Sequence, residues 1–404
     1  MVQKVALIIE RANLALGGAE RSLFEVAEAL SALGLQVDVL AAKANTDAQN
    51  VRALCREVPG KRVSLPVFGR ALRRYLAQAD YDIIHSVLPF DFVDLYQPRG
   101  GTYAESLQRS IASYPRPAVR FYKRLTACAN RRRSRLLRAE RRLCQGSDGP
   151  VIAALSHYVA DQFRRHYGTA SERIVLTLNG VRTDKRVNAT LADNLRTQIF
   201  SELGVTKDDH PVLYLFVAHD FRLKGLHPLI RALAAARTEQ PAGLVVVGAD
   251  RSSGYRRLAQ RLGIEKRVVF LGRVPEVQNV LAISDVGVLP TFCDAASRST
   301  LEALAAGKPV ITTRFNGATD HFTHGRHGLV VDAPEDIDGL ASALRHFSVT
   351  ANLERAARAI REDRLAEKIS IQRVAQDLIR VYDSILENRG HLATISDASA
   401  CDHD

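Results

Sequence analysis

Cysteine is scarce in this chain of 404 residues, and what there is does not cluster. The five cysteines stand at 55, 128, 144, 293 and 401, with no CxxC pair and no Cys/His spacing of a zinc site. An odd, scattered set excludes a disulfide framework, suits a reducing compartment and leaves no structural metal to expect. Long apolar runs are missing as well. None reaches the roughly 18 residues of a membrane-spanning helix. The opening run Val5–Ile9 leads into charge and Gly17-Gly18-Ala19-Glu20 instead of a cleavage site, so it reads as a first strand and not a signal peptide. Acid is in shorter supply than base, 44 Asp and Glu against 56 Lys and Arg, for a net charge of +12. Such a balance suits an anionic partner. No helix-turn-helix, zinc finger or RNP motif accompanies it, so nucleic acid is not expected.

What is present is a globular chain. The apolar fraction of 46% fills complete cores, and the length suits two or three domains. The first half opens with strand Lys4–Glu10, a loop, a helix from Ala19 to about Leu33 and strand Val37–Leu40, a βαβ start. Further strands follow at Tyr81–Ser86, Val151–Leu155 and Ile174–Thr177. In the second half short β-branched runs at Val212–Val217, Leu244–Gly248, Val268–Leu271, Val286–Leu289, Val310–Thr313 and Leu329–Val331 alternate with helical segments. Nearly continuous apolar strands of this kind are buried on both faces by crossover helices. The reading is α/β, with two doubly wound domains facing across a cleft. Domain boundaries are expected at 1–185 for the first and 186–368 for the second. An amphipathic helix over 369–388 packs back on the first domain, and 389–404 forms a disordered tail.

The segment Arg116–Arg142 stands apart, with eleven Arg or Lys residues interleaved with Phe121, Tyr122, Leu125, Leu136 and Leu137. A basic amphipathic helix fits an anionic membrane surface, and a solvated helix over the domain is the plainer alternative. Asp80-Tyr81-Asp82 has the look of a metal-binding Asp-x-Asp but precedes its strand, at the wrong end of the sheet.

The chemistry concentrates in Pro290–Thr313, which reads strand, loop, helix, strand. Asp294 lies in the loop and Glu302 about two helical turns further on. Between them Ser297, Arg298 and Ser299 open the helix with backbone N–H groups and one cation, an anion site. The plainer reading is a capping Asp and a surface Glu. Arg222 and Lys224 follow a strand at its carboxyl end, where open α/β sheets bind ligands, and both suit phosphate. Gly17 and Gly18 precede a helix and would let an anion approach the backbone. They are not the GxGxxG fingerprint, which disfavours a dinucleotide. His85 ends a strand at the expected cleft edge, as a hydrogen-bond donor or proton carrier or as a satisfied structural histidine.

Taken together these pieces resemble the family 4 glycosyltransferases of GT-B fold. Their Glu-x7-Glu hallmark appears here as Asp294-x7-Glu302, with the Gly17-Gly18 loop and the Arg222/Lys224 pair at the family's other stations. The runs Leu155–Val181 and Asp220–Leu233 look most like the lipopolysaccharide core glucosyltransferases, which also carry a basic, membrane-associating stretch in the first domain. The resemblance implies a retaining transfer of a hexose, glucose above all, from a nucleotide-diphosphate sugar to a glycan or glycolipid acceptor. It implies no metal and no cofactor beyond the donor, at the cytoplasmic face of a membrane. It implies that Glu302 holds the ribose, Asp294 the transferred sugar, and Arg222, Lys224 and the Ser297–Ser299 amides the diphosphate. Gly17 and Gly18 would sit against the diphosphate, and Arg273 and Val274 near the base. Asp in place of Glu at 294 reaches one methylene less far, Ser297 replaces a frequent Gly, and Val87 stands where a second histidine is common. A nucleotide-sugar epimerase or hydrolase, or a non-catalytic binding protein, would use the same cradle.

Overall fold

The computed structural model describes residues 2–400 apart from 14–16, 47, 57–61, 147 and 249–250, with side chains through Arg389. Two compact units divide the chain. The first holds residues up to Ala104, Thr126–Leu178 and the chain from Ile371 on; the second holds Glu105–Leu125 and Asn179–Ser370.

In the first unit the strands are β1 (Lys4–Ala12), β2 (Gln36–Ala44), β3 (Val51–Ala53), β4 (Ile83–Ser86), β5 (Leu95–Tyr96), β6 (Val151–Ala154) and β7 (Ile174–Leu176). They form one parallel sheet in the order β3-β2-β1-β4-β5-β6-β7. Val5 to Ile8 are fully buried, as a strand covered on both faces requires. One face packs on the helix Gly18–Ala32 through Leu23, Val26 and Leu30, joined by Val374, Leu378 and Tyr382 of the helix Ile371–Ala400. Phe68 and Leu72 of the helix Leu65–Leu76 cover the other face.

The second unit contributes β8 (Val212–Val217), β9 (Ala242–Val247), β10 (Val268–Gly272), β11 (Val286–Leu289), β12 (Val310–Thr313) and β13 (Gly328–Val331), also parallel, in the order β10-β9-β8-β11-β12-β13. Each sheet therefore reverses direction once, between β1 and β4 and between β8 and β11. At such a point the connections leave in opposite directions and open a crevice beyond the carboxyl ends of the strands.

The doubly wound α/β class is as expected; several details differ. The chain joins the second unit at Asn179 and not at 186, because the Val181 amide donates to the Ile369 carbonyl (2.9 Å) and fixes the stretch there. Residues 105–125 also belong to the second unit, where Arg109 lies over the Phe315 ring, 3.4 Å from its centroid. The final helix does not stop near 388. No proline follows to break it, and the backbone stays helical to Ala400; of the expected tail, 401–404 lie outside the described residues. The basic segment is two helices, Pro117–Leu125 and Arg131–Cys144, divided between the units. Asn130 caps the second by accepting from the Arg133 amide (3.0 Å). Leu136 and Leu143 are buried, whereas Phe121, Tyr122 and Leu125 are all more than 60% exposed. Asp82 caps the amino end of β1, its Oδ2 accepting from the amides of Gln3 and Lys4 (2.8 Å each).

Candidate functional site

Two loops flank the reversal in the second unit. One follows β8 and carries Arg222 and Lys224; the other follows β11 and carries Asp294. They are laced together. The Phe292 amide donates to the Leu223 carbonyl (2.9 Å), and Thr291 Oγ1 donates to that same carbonyl (3.3 Å). Gly225 permits the closeness: its φ is +83°, and a Cβ there would stand 2.0 Å from the Pro290 carbonyl oxygen.

Lys224 and Asp294 meet across this seam. Lys224 Nζ donates to Asp294 Oδ2 at 2.6 Å and to the Cys293 carbonyl at 3.0 Å. Both side chains are about one-fifth exposed. An ammonium has three donors, so one proton remains for a ligand. The resemblance gave the two residues separate partners; the structure makes them one ion pair. The backbone of Asp294 is clamped too. Its amide donates to the Phe315 carbonyl (2.9 Å) and its carbonyl accepts from Gly317 (3.0 Å).

Arg222 is held by the segment that the sequence reading placed in the first domain. Its Nη1 donates to the Ser110 carbonyl (2.8 Å) and to Ser113 Oγ, and its guanidinium lies 4.2 Å from the Tyr114 ring centroid. Stacking and these acceptors, together with Asp220 Oδ2 3.5 Å from Nη2, fix its plane.

The helix Arg298–Ala305 begins at Ser297, whose Oγ accepts from the Thr300 amide and so caps it. The amide of Ser297 donates to Asn316 Oδ1 (3.0 Å), so it belongs to the scaffold and not to the anion site expected of it. The Ser299 amide is engaged by neither bond. About one turn along, Glu302 Oε1 lies 3.3 Å from Lys185 Nζ and 3.4 Å from Arg298 Nη2, with its side chain 15% exposed. Two cations therefore orient it as a hydroxyl acceptor.

Two residues escaped sequence reasoning. Asn316 is fully buried; its Oδ1 accepts from Ser297 and Ala318, and its Nδ2 donates to Thr300 and Thr312. It ties the start of the site helix to β12. Lys185 sits in what reads as a linker. The signal for Asn316 was a lone Asn after a strand, too common to single out.

Other candidates lie elsewhere. Arg273 and Val274 follow β10, two strands from β8, and no hydrogen bond or ion pair links them to Asp294 or Glu302 among the described residues. In the first unit Gly17 precedes the helix Gly18–Ala32 in an extended conformation, and an added Cβ would meet nothing closer than 3.4 Å. The loop residues 14–16 lie outside the described residues. Glu20 in that helix's first turn, 3.9 Å from Arg11, puts negative charge beside the expected anion position. His85 is corrected from a cleft edge to the core. It is fully buried, with Nδ1 2.7 Å from the Tyr382 hydroxyl. Burial first, then nearby Arg99, pushes its pKa down to about 3, so the ring is neutral and sealed from substrate.

Comparison with known proteins gives this geometry a family. Residues 16–185 match the Glycosyltransferase Family 4 model and 201–364 match Glycosyl transferases group 1. The lipopolysaccharide glucosyltransferase WaaG of Escherichia coli is 29% identical over 203 residues. That match covers 50% of this chain and 53% of the relative, so the chain spans about half the length of such curated relatives. The crystal structure of WaaG superposes with a TM-score of 0.71 at 23% identity, over 94% of this chain and 99% of that one. Anabaena Alr3699/HepE in complex with UDP-glucose gives 0.67 at 17% identity, over 94% and 99%. The two family models together match most of the chain, which belongs to the family 4 glycosyltransferases of GT-B fold.

Proposed function

We propose that this protein is a retaining glycosyltransferase that moves a hexose, most consistently glucose, from a nucleotide-diphosphate sugar to a glycan or glycolipid acceptor such as a lipopolysaccharide core. One observation carries the reading: the Lys224–Asp294 pair and the doubly paired Glu302 lie on loops and a helix at the carboxyl edge of the β8/β11 reversal, in the Asp-x7-Glu spacing. The similarity to an E. coli lipopolysaccharide glucosyltransferase and to a UDP-glucose complex supports the donor and acceptor classes.

In this reading Glu302 accepts from ribose hydroxyls and Asp294 from hydroxyls of the transferred sugar. Arg222, the third proton of Lys224 and the helix start at Ser299 face the diphosphate. Breaking the glycosidic bond leaves negative charge on that diphosphate and positive character on the sugar. Fixed cations stabilise the departing charge without reorganising, so the proposal needs no metal ion. Asp220, on the loop of Arg222, is engaged by the Leu223 amide (2.9 Å) and lies 3.5 Å from Arg222 Nη2, so in this reading no carboxylate serves as a covalent nucleophile. The acceptor's proton then passes to the leaving phosphate oxygen, and the acceptor oxygen bonds to the anomeric carbon on the face just vacated. The exposed Phe121, Tyr122 and Leu125, amid the cations of Arg116–Arg142, are proposed to rest on an anionic membrane surface. Among the described residues no helix is long and apolar enough to cross one.

The test is turnover of UDP-glucose with purified core oligosaccharide, with the product's anomeric configuration read by NMR. Retention is expected, together with a loss of roughly two decades in turnover for Lys224→Ala at an unchanged melting temperature. An inverted product, donor conversion without acceptor, or a fully active Lys224→Ala would sink the proposal.

A further inference from the structure

The amino edge of the second sheet carries positive charge that the site described above does not use. A cavity of about 240 Å³ opens there, below the starts of β8 and β11. β8 is 6 residues long, so this edge lies about 20 Å from the loops of Lys224 and Asp294. Arg196, Lys207, His210 and Lys308 line the cavity, with one carboxylate, Asp285. The bases come from separate stretches: the helix Ala189–Leu203, the loop ahead of β8, and the turn between the site helix and β12.

Asp285 has a structural task. Its Oδ2 accepts from the Leu213 amide at the start of β8 (2.8 Å), much as Asp82 caps β1 in the first unit. The bases are less committed. Arg196 Nη1 donates to Asp193 on its own helix (2.8 Å), and Asp209 beside His210 turns its Oδ2 to the Thr206 amide (2.7 Å). The side chains of Lys207 and Lys308 make no hydrogen bond or ion pair among the described residues. Lys308 is half-buried, and burial lowers its pKa although Asp285 pulls the other way, so its charge is under-compensated. A helix C-terminus attracts a cation, and Lys308 follows one. That does not account for Lys207 and His210, which reach the same cavity from another stretch. His210 has a φ of +45°, rare for a residue other than glycine, and its amide donates to the Lys207 carbonyl (3.1 Å). This turn places both side chains on the cavity wall. Three permanent cations against one carboxylate leave the lining positive. About 150 Å³ takes one six-membered ring and drug-sized pockets start at roughly 300 Å³, so the space suits a compact ion larger than one phosphate.

We infer that this cavity is a second anion site, which takes a compact polyphosphate of the size of inorganic pyrophosphate, with Lys207 and Lys308 as its principal partners. Ammonium groups bind phosphoryl oxygens as point charges, and the Arg196 fork and His210 add donors. The site is separate from the one assigned to the diphosphate above, at the other end of the strands, and does not depend on transferase activity.

The probes are pyrophosphate and inorganic phosphate, titrated calorimetrically into the full chain with UDP at saturation to keep them out of the donor site. Pyrophosphate should bind about tenfold or more tightly than phosphate, since its second phosphoryl group adds a charge-assisted contact. Lys207→Ala and Lys308→Gln should each weaken pyrophosphate about tenfold. Lys207 is exposed, so its variant tests the site even where Lys308→Gln fails to fold. Asp285→Asn keeps an oxygen for the Leu213 amide and removes a like charge, so it should tighten pyrophosphate several-fold; a purely structural cluster predicts no such gain. Absence of pyrophosphate binding, or binding at parent strength in both lysine variants, would overturn the inference. Phosphate binding as tightly as pyrophosphate would overturn the polyphosphate assignment. Loss of the signal in Lys224→Ala with none in Lys308→Gln would put the ion in the donor site instead. The same contacts suit a phospholipid headgroup, so parent and lysine variants are also sedimented with phosphatidic acid vesicles. A loss there, with no pyrophosphate binding in solution, would make a lipid the occupant and overturn the free anion.

Discussion

Asn316 is a residue whose four side-chain hydrogen bonds all serve other groups. It holds two backbone amides and two threonine hydroxyls, and every one of these bonds is buried. Truncating it leaves those donors and acceptors without partners. Asn316→Ala is therefore expected to cost about 3 kcal/mol of stability, read from the urea midpoint at constant slope. The variant should also weaken UDP binding, because the Ser297 turn loses its tether. Asp294 and Glu302 were legible in the sequence because the spacing alone puts them before and along one short helix. Asn316 was not, since its meaning lies in contacts to Ser297 and Thr300, 19 and 16 positions away. His85 shows the same limit more sharply: its partner Tyr382 is 297 positions distant, and nothing local marks a strand-end histidine as covered.

Among the elements, Arg131–Cys144 combines the greatest surface charge with a buried acid. Glu140 is fully buried and accepts from the Tyr96 hydroxyl (2.8 Å), the Tyr167 hydroxyl (2.5 Å) and the Tyr103 amide (2.7 Å). Burial outweighs those bonds and raises its pKa from 4.5 to about 7. The native state then keeps a proton that the unfolded chain releases between these values. Stability from this group is full below about pH 4.5 and declines as pH rises to about 7, by about 3 kcal/mol. Glu140→Gln should lack that decline, so the difference between the two proteins, followed by denaturation from pH 4.5 to 8, isolates it. A difference that does not vary with pH would contradict the assignment. Element boundaries were legible wherever strands were continuous β-branched runs, as in β8, β11 and β12, which match residue for residue. The short β3 and β5 were missed because two or three residues carry no period. The basic run read as one helix because charge and leucine spacing continue across it, and only Asn130 marks the break.

At the scale of the whole molecule the net charge of +12 gains a direction. Phe121, Tyr122 and Leu125 lie exposed on a helix that also carries Arg120, Lys123 and Arg124. Replacing the three apolar residues by serine should weaken binding to phosphatidylglycerol vesicles roughly tenfold or more, as lost apolar burial of this size implies. Raising salt should weaken the parent protein on the same vesicles. Sedimentation with neutral and anionic vesicles measures both, and indifference to salt and to the substitutions would refute the membrane surface. The two parallel sheets were legible as a class, whereas the path of the chain between the units was not. Assigning 105–125 to the second unit depends on Arg109 over Phe315 and Ser110 on Arg222, contacts no pattern announces. That path bears on how the protein is made. The core of the first unit includes Val374, Leu378 and Tyr382, which leave the ribosome only after the entire second unit has been synthesised. Domains commonly fold in the order they emerge. Here the unit that starts first finishes last, with the part of its core that Val374, Leu378 and Tyr382 complete left open through most of translation, so premature termination anywhere in the second unit yields a nascent chain fit for a chaperone or a protease.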